Sequence, residues 1–433
     1  MMKLRLSNLI VCSILVSASL GAHSITLEEV IENAIKVDPM LRLSKLNLQA
    51  TEENIAIASS RLLPQVSLQG SSNQLSQTTT QDIAGGSSVS RSFTGPSVNH
   101  QLVIRQALIR PKERSAFKYA ELQTQYTTIK FKLDLADLKL RVVNSWIDLL
   151  GSKQIVEAFE RPLPLMKKAA DQAKAKFEKG DGTIDIAMEA VAQYQSAISM
   201  HIQAVEVWKA RQAAFERLTG IPAETVKEKK LPLNSYTNLS ADKKTEIWKS
   251  FRDISLELQL AHLQEQMQLE RVRMAEADHK PSLDLLASFN LAQNDATSTQ
   301  GYQYRNKQVG VQYLVPLYSG GGTASSVKQA NLQYNASIEE TLIIGAKLEN
   351  DFDNTWSLML GAEARQKAMN DLLGAAREQA KSNLRAYELG VNTLTDLASA
   401  EQLVSRKYVD LISGNQEYMR NLYKLKKLYF NFN

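Results

Sequence analysis

The sequence predicts a mainly α protein with a small β part: a long antiparallel α-helical coiled coil plus four membrane strands, arranged as two structural repeats. Three observations predict it. The chain is duplicated at one fixed spacing, each half holds a helical stretch of about fifty residues, and each half places two alternating apolar/polar segments just before that stretch.

The duplication is read from paired residues. Trp146, in Val143 to Leu150, recurs as Trp356 in Phe352 to Leu360, and Phe177-Glu178-Lys179-Gly180 recurs as Tyr387-Glu388-Leu389-Gly390; both pairs are 210 positions apart. Ala120-Glu121-Leu122-Gln123 and Ala330-Asn331-Leu332-Gln333 keep that spacing. Such a period far exceeds the roughly 20–50 residues of a solenoid unit, so each half is a large piece of one object.

The first residues read as a secretory signal peptide over 1–24: Lys3 and Arg5, an apolar stretch from Leu9 to Ala22, and small residues at Ala22 and Ser24 before Ile25. The only cysteine, Cys12, falls inside that stretch, too early for a lipoprotein cleavage site. The mature chain is then expected to carry no disulfide, thiolate nucleophile or cysteine metal site. Removing Lys3 and Arg5 takes the formal charge from +5 to +3, near neutral at this length, and no nucleic-acid partner is implied. Beyond the signal no run of ~18 apolar residues is present, so a place in a membrane would have to be taken by strands.

In order along the chain, Leu27 to Ala34 forms a short capped helix, and Asp38-Pro39 restarts a second that runs to about Leu63, where Pro64 stops it. Gln65 to Gln69 then alternates, as does the matching segment of the second half, where Leu283, Leu285, Ala287, Phe289 and Leu291 interleave with Ser282, Asp284, Ser288 and Asn290. Ser97 to Leu108 and Gln308 to Leu317 supply the second strand of each half, the latter with Val309, Val311, Tyr313, Val315 and Leu317 on one side. Ser/Thr/Gly-rich segments, Ser76 to Pro96 and Asn294 to Arg305, are expected to be the solvated loops between them. Long helices follow from Lys112 to about Glu160 and from Ser325 to about Ala380, with apolar residues such as Leu135, Leu138, Val142 and Leu149 stepping by threes and fours. At ~1.5 Å per residue each reaches roughly 75 Å. The helices turn at Gly180-Asp181-Gly182-Thr183 and Gly390-Val391-Asn392-Thr393, then return through Leu218 and Tyr429.

The strand count implies assembly. Four half-apolar strands are too few to close a barrel, and open edges in lipid are costly. Since barrels start at about eight strands, a dimer supplies eight and a trimer twelve. The polar strand face suits a water-filled lumen and the apolar face suits lipid. Tyr302, Tyr304, Tyr313 and Tyr318 are candidates for interfacial aromatic girdles.

With these features the chain resembles the TolC family of outer-membrane channel proteins over its whole mature length. The more specific marks are the duplication, the strand exit Val315-Pro316-Leu317-Tyr318-Ser319-Gly320-Gly321, and the turn Tyr387 to Leu397. The resemblance implies a homotrimer in which three chains share one 12-stranded β-barrel in outer-membrane lipid and one periplasmic helical tunnel. It also implies a tunnel tip that docks to a periplasmic adaptor and an inner-membrane ABC or proton-driven transporter. The domains expected on this basis are N-terminal periplasmic helices at 25–63, a first barrel hairpin at 64–109, a first long helical hairpin at 110–218 and an equatorial linker at 219–243. The second repeat follows with a helix at 244–280, a barrel hairpin at 281–318 and a long helical hairpin at 319–433.

The resemblance makes Gly180, Thr183, Gly390 and Thr393 the candidates for adaptor contact, and Asp396, Asp185, Asn392 and Tyr387 the candidates for the tunnel entrance and its selectivity. Asp396 admits two compatible readings: one carboxylate of a three-fold ring that attracts cations, or a partner for Thr393 in a capping box. Family members commonly carry Arg at the position of Asn392, a second acid at that of Ser399, an Asp where Ile186 stands, and Pro where Ala107 stands. Gly180 and Gly390 end helices in any reading, and Trp146 and Trp356 are expected to be packed seam residues. The five histidines lack metal-ligand spacing and no catalytic motif is found, so neither enzyme activity, cofactor nor metal is expected. The expected function is an export duct, with type I protein secretion favoured over multidrug or small-molecule efflux because no lipoprotein cysteine is present. A secreted coiled-coil rod or adhesin without a pore is the rival, and it leaves the four strands unexplained.

Overall fold

The computed structural model describes residues 25–226, 231, 244–294 and 302–428. The expected signal peptide, most of the 219–243 linker, the centre of the second hairpin loop and the Tyr302 side chain lie outside the described residues. The first repeat comprises α1 (Leu27–Val37), α2 (Pro39–Ser60), β1 (Gln65–Ile83), β2 (Ser87–Ile109), α3 (Pro111–Glu160), α4 (Leu163–Glu178) and α5 (Ile184–Thr219). The second comprises α6 (Lys244–Ile254), α7 (Leu256–Ala277), β3 (Ser282–Asn294), β4 (Tyr302–Leu314), α8 (Gly322–Glu388) and α9 (Leu394–Leu428).

The repeats use the same break between their first two helices. Asp38 accepts a bond from the Leu41 N–H at 2.7 Å ahead of Pro39, and Ser255 accepts one from the Leu258 N–H at 3.3 Å. Each satisfies a backbone donor that a new helix start leaves orphaned. The repeats diverge further on. Pro162 separates α3 from α4, whose first turn holds Pro164, whereas the 67 residues of α8 contain no proline and run unbroken.

The chain divides into two compact units. The first, residues 1–37, 141–235 and 362–420, is mainly helical among its described residues, with one isolated bridge from Ile25 to Val226. Its core is rich in alanine: Met166, Ala169, Ala170 and Ala173 of α4 meet Ala190 of α5 and Leu394, Leu397 and Ala398 of α9. A second cluster joins Leu373, Ala376 and Ala380 of α8 to Ala400, Val404 and Leu411 of α9. Small residues let helix axes approach closely, as knobs-into-holes seams require. Gly220 ends α5 with φ +70°, and the amide of Asn33, which donates to the Thr219 carbonyl at 2.6 Å, lies 3.3 Å from where a Cβ would stand. Glycine is therefore needed there for both its conformation and its size.

The second unit, residues 38–140, 236–361 and 421–433, holds the sheet. Trp248, Phe251, Phe352 and Trp356 pack with centroids 5.3 to 6.0 Å apart, Phe251 stacked on Phe352 and the other pairs tilted. Trp146 and Trp356, the two tryptophans of the duplication, are both buried as expected.

All four strands form one antiparallel sheet in the order β1-β2-β3-β4. The first hairpin corrects the sequence reading: Ser76 to Pro96 is not a loop but paired strand up to Ile83 and from Ser87. β-branched threonines favour the pleat, and hydroxyls bridge the strands, Ser76 to Thr94 at 3.0 Å, Thr78 to Ser92 at 3.1 Å and Thr80 to Ser90 at 3.3 Å. Only the tip turns, through Gly85 and Gly86 at positive φ. In the second hairpin β4 stops at Leu314, three residues before the expected end, because Pro316 has no N–H to donate.

Candidate functional site

Residues opposite one another in a sheet share a face, so the register assigns each strand position. One face carries Val66, Ile104, Ala287 and Val309 in a single row, with Leu68, Leu102 and Phe289 in the next. The other carries Ser67, Gln69, Gln101, Ser288, Asn290 and Gln308. The apolar face is bare: Val309 is 76% exposed and Leu68 75%. The outer edges of β1 and β4 have no strand partner among the described residues.

Asp284 was expected on the polar face as a solvated residue, and the structure corrects this: it is buried at 4% exposure. Arg105 of β2 donates to it from Nε at 2.8 Å and from Nη2 at 2.5 Å, and Arg110, between β2 and α3, from Nε at 2.9 Å and Nη2 at 2.5 Å. One carboxylate thus ties β3 to the junction where β2 becomes α3. Its hydrogen bonds hold the Arg110 guanidinium still more firmly protonated. Sequence reasoning missed this hub. The only signal was a charge set in each of two alternating strands, and their partnership depends on a pairing 179 residues apart.

The two inter-helix turns share one backbone. Gly180, at φ +82°, donates to the Phe177 carbonyl at 2.9 Å while Asp181 N–H reaches Lys176 at 2.9 Å. Gly390, at φ +76°, donates to Tyr387 at 3.0 Å while Val391 N–H reaches Ala386 at 2.8 Å. These are paired C-terminal Schellman bonds, which need a left-handed residue and so select glycine. The helix starts that follow differ. The Asp396 carboxylate accepts from the Thr393 N–H at 2.9 Å and its hydroxyl at 2.7 Å, and the Thr393 hydroxyl oxygen accepts from the Asp396 N–H at 3.2 Å, a reciprocal box. These bonds, the hydroxyl's first, hold the Asp396 carboxyl below the usual range. Thr183 makes no such bond, because Ile186 occupies the equivalent position and Asp185, one residue short, stays exposed.

Of the remaining candidates, Asn392 donates to the Asn383 side chain at 2.7 Å, and Tyr387 packs against the α4/α5/α9 cluster. The turns also expose apolar side chains that sequence reasoning did not single out, with Leu389 at 80% and Val391 at 77%. Among the described residues no group of three or more His, Cys, Asp or Glu suits a metal, and no helix is long and apolar enough to cross a membrane.

The chain thus combines an antiparallel sheet bearing one exposed apolar face with long helical hairpins. The outer membrane efflux protein family matches residues 250–429. The outer membrane protein TolC of Vibrio cholerae is 22% identical over 431 residues, 95% of this chain and 93% of that one. The proteases secretion protein PrtF of Dickeya chrysanthemi is 23% identical, covering 91% of this chain and 86% of its own length. Among solved structures, the outer membrane protein VceC of Vibrio cholerae superposes with a TM-score of 0.75 at 14% identity, covering 94% of this chain and 97% of that one. Over nearly its whole length the chain is similar to outer-membrane channel proteins of the TolC kind, and it shares the fold of VceC.

Proposed function

We propose that three copies of the chain close one twelve-stranded barrel and act as an exit duct fed by an inner-membrane transporter through a periplasmic adaptor. The observation that carries the proposal is a sheet with an exposed apolar face and two open edges. In lipid, unpaired backbone groups cost several kcal/mol each, and β4 of one copy runs antiparallel to β1 of the next, so a ring of copies removes every edge. A rod or adhesin gains nothing from this sheet.

Within that reading the cargo is most consistent with type I protein secretion, supported by the likeness to a protein named for protease secretion. Small-molecule efflux is the second reading, supported by the name of the matching family. At the tunnel end, we assign Asp396 to a ring of three carboxylates at the entrance, a role compatible with its capping bonds. Gly180, Thr183, Gly390 and Thr393 form the adaptor-facing turns.

Alkaline carbonate extraction followed by planar-bilayer conductance of the purified protein tests the duct. Discrete cation-selective steps that lose selectivity in Asp396→Asn support duct and ring together; a folded, trimeric protein without conductance sinks the duct. Deleting the gene in its host separates the cargoes. Loss of specific proteins from the culture supernatant supports secretion, whereas drug sensitivity with an unchanged supernatant supports efflux.

A further inference from the structure

The apolar face of the sheet does not end in the same chemistry on its two sides. Toward the helices it closes on Leu283 and Tyr313. Toward the hairpin turns, Phe289 is paired with Lys307 and Leu291 with Arg305, while His100 flanks Leu291 from β2, all on this same face. His100 lies over Gly70 of β1, its Nδ1 3.0 Å from where a Cβ would stand. From the strand spacings, Arg305 lies about 7 Å from Lys307 and about 10 Å from His100. Among the described strand residues these are the only basic side chains on this face. Its one carboxylate, Asp82, sits beside the β1–β2 turn, far along the hairpin. Past the basic row the face becomes a hydroxyl ladder, Ser76 with Thr94, Thr78 with Ser92 and Thr80 with Ser90.

The order along the face is therefore hydrocarbon, then cation, then hydroxyl. That is the layering of acyl chains, phosphates and sugars in a phosphorylated saccharolipid. Long Lys and Arg stems can lie on the apolar surface while their heads rise to the phosphate level, where charge-assisted bonds to phosphate oxygens are strong. We propose that Lys307, Arg305 and His100 form a docking surface for the phosphate-bearing headgroup of an outer-leaflet saccharolipid. This rests on the barrel proposed above, with its hairpin turns facing outward.

The test uses the purified full-length mature protein in detergent, mixed with lipopolysaccharide or with its enzymatically dephosphorylated form, and measures saccharolipid retained per protein after gel filtration. Wild type is expected to retain the phosphorylated form several-fold better. The triple variant H100Q/R305Q/K307Q is expected to lose that preference, while R91Q, on the opposite face, keeps it. Retention of the preference by a triple variant that still runs as a trimer on unheated gels overturns the docking surface and leaves the barrel standing. Displacement by inorganic phosphate at equal phosphate concentration overturns the assignment to lipid. A wild-type protein that carbonate extracts as a monomer removes the barrel, and the docking surface falls with it.

Discussion

Replacing Asp284 by alanine removes the acceptor that two guanidiniums share, and the expected loss can be worked from the geometry. The Asp284 side chain is 5% exposed, Arg110 22% and Arg105 47%. A hydrogen bond to a charged group contributes about 1.5–3 kcal/mol, which suits the Arg110 fork. The half-exposed Arg105 pair is screened and adds only about 0.5–1 kcal/mol. Asp284→Ala is therefore expected to cost about 2–4 kcal/mol, overlapping the lower part of the range for breaking a fully buried pair. Asp284→Asn, which keeps one acceptor oxygen, should cost about half of that. The assay is equilibrium unfolding in detergent, followed by the strand circular dichroism signal, with a double-mutant cycle between Asp284→Ala and Arg110→Ala. A coupling indistinguishable from zero, with single variants as stable as wild type, would refute the claim that this carboxylate ties the sheet to α3.

Three further outcomes are expected. At Gly180 and Gly390 an added Cβ meets nothing within 4 Å, so Gly→Ala at either site should cost only the left-handed backbone penalty of about 1–2 kcal/mol. Hydrogen exchange should show fraying confined to the adjoining turn. Asp396 has a lowered carboxyl pKa, so its contribution is present above the unfolded value and is lost as pH falls through the folded one; exchange at the start of α9 should accelerate in acid, and Thr393→Ala should abolish that pH dependence. Glu401 lines a cavity of about 240 Å³ with Phe159, Met166 and Met200. Burial pushes its carboxyl up, partly offset by Arg161, so its stabilising contribution is full below the unfolded value and is lost as pH rises through the folded one. Protection of α9 should decline over that window in wild type and stay level in Glu401→Gln.

What the sequence disclosed were the features governed by local rules. Helix ends followed from Asp38-Pro39 and from the paired glycines, because a left-handed cap or a missing N–H acts on its own backbone wherever the rest of the chain lies. The apolar face of β3 and β4 followed from period two. Long-range pairing was not legible. Ser76 to Pro96 reads as loop by composition, yet Ser76, Thr78 and Thr80 gain cross-strand hydroxyl partners in Thr94, Ser92 and Ser90 once the hairpin is in register. Asp284 looked like one more polar-face residue until β2 brought Arg105 beside it and the following junction brought Arg110.

The duplication shows which constraints are strict. Both turns keep glycine because the backbone at that position lies at positive φ, where any side chain is strained whatever surrounds it. The cap three residues later is negotiable, since a missing side-chain acceptor leaves N–H groups that water can satisfy. So Asp396 is matched by Ile186 without change to the backbone bonds of the turn. The hairpins follow the same logic. The rows of β3 and β4 nearest the helices carry the alternation a bilayer demands, whereas the part of β1 and β2 beyond those two strands is free to be hydroxyl-rich on the face that is apolar below. Divergence between the repeats thus collects where solvent can substitute for a protein partner, and identity survives where only the chain itself can supply the geometry.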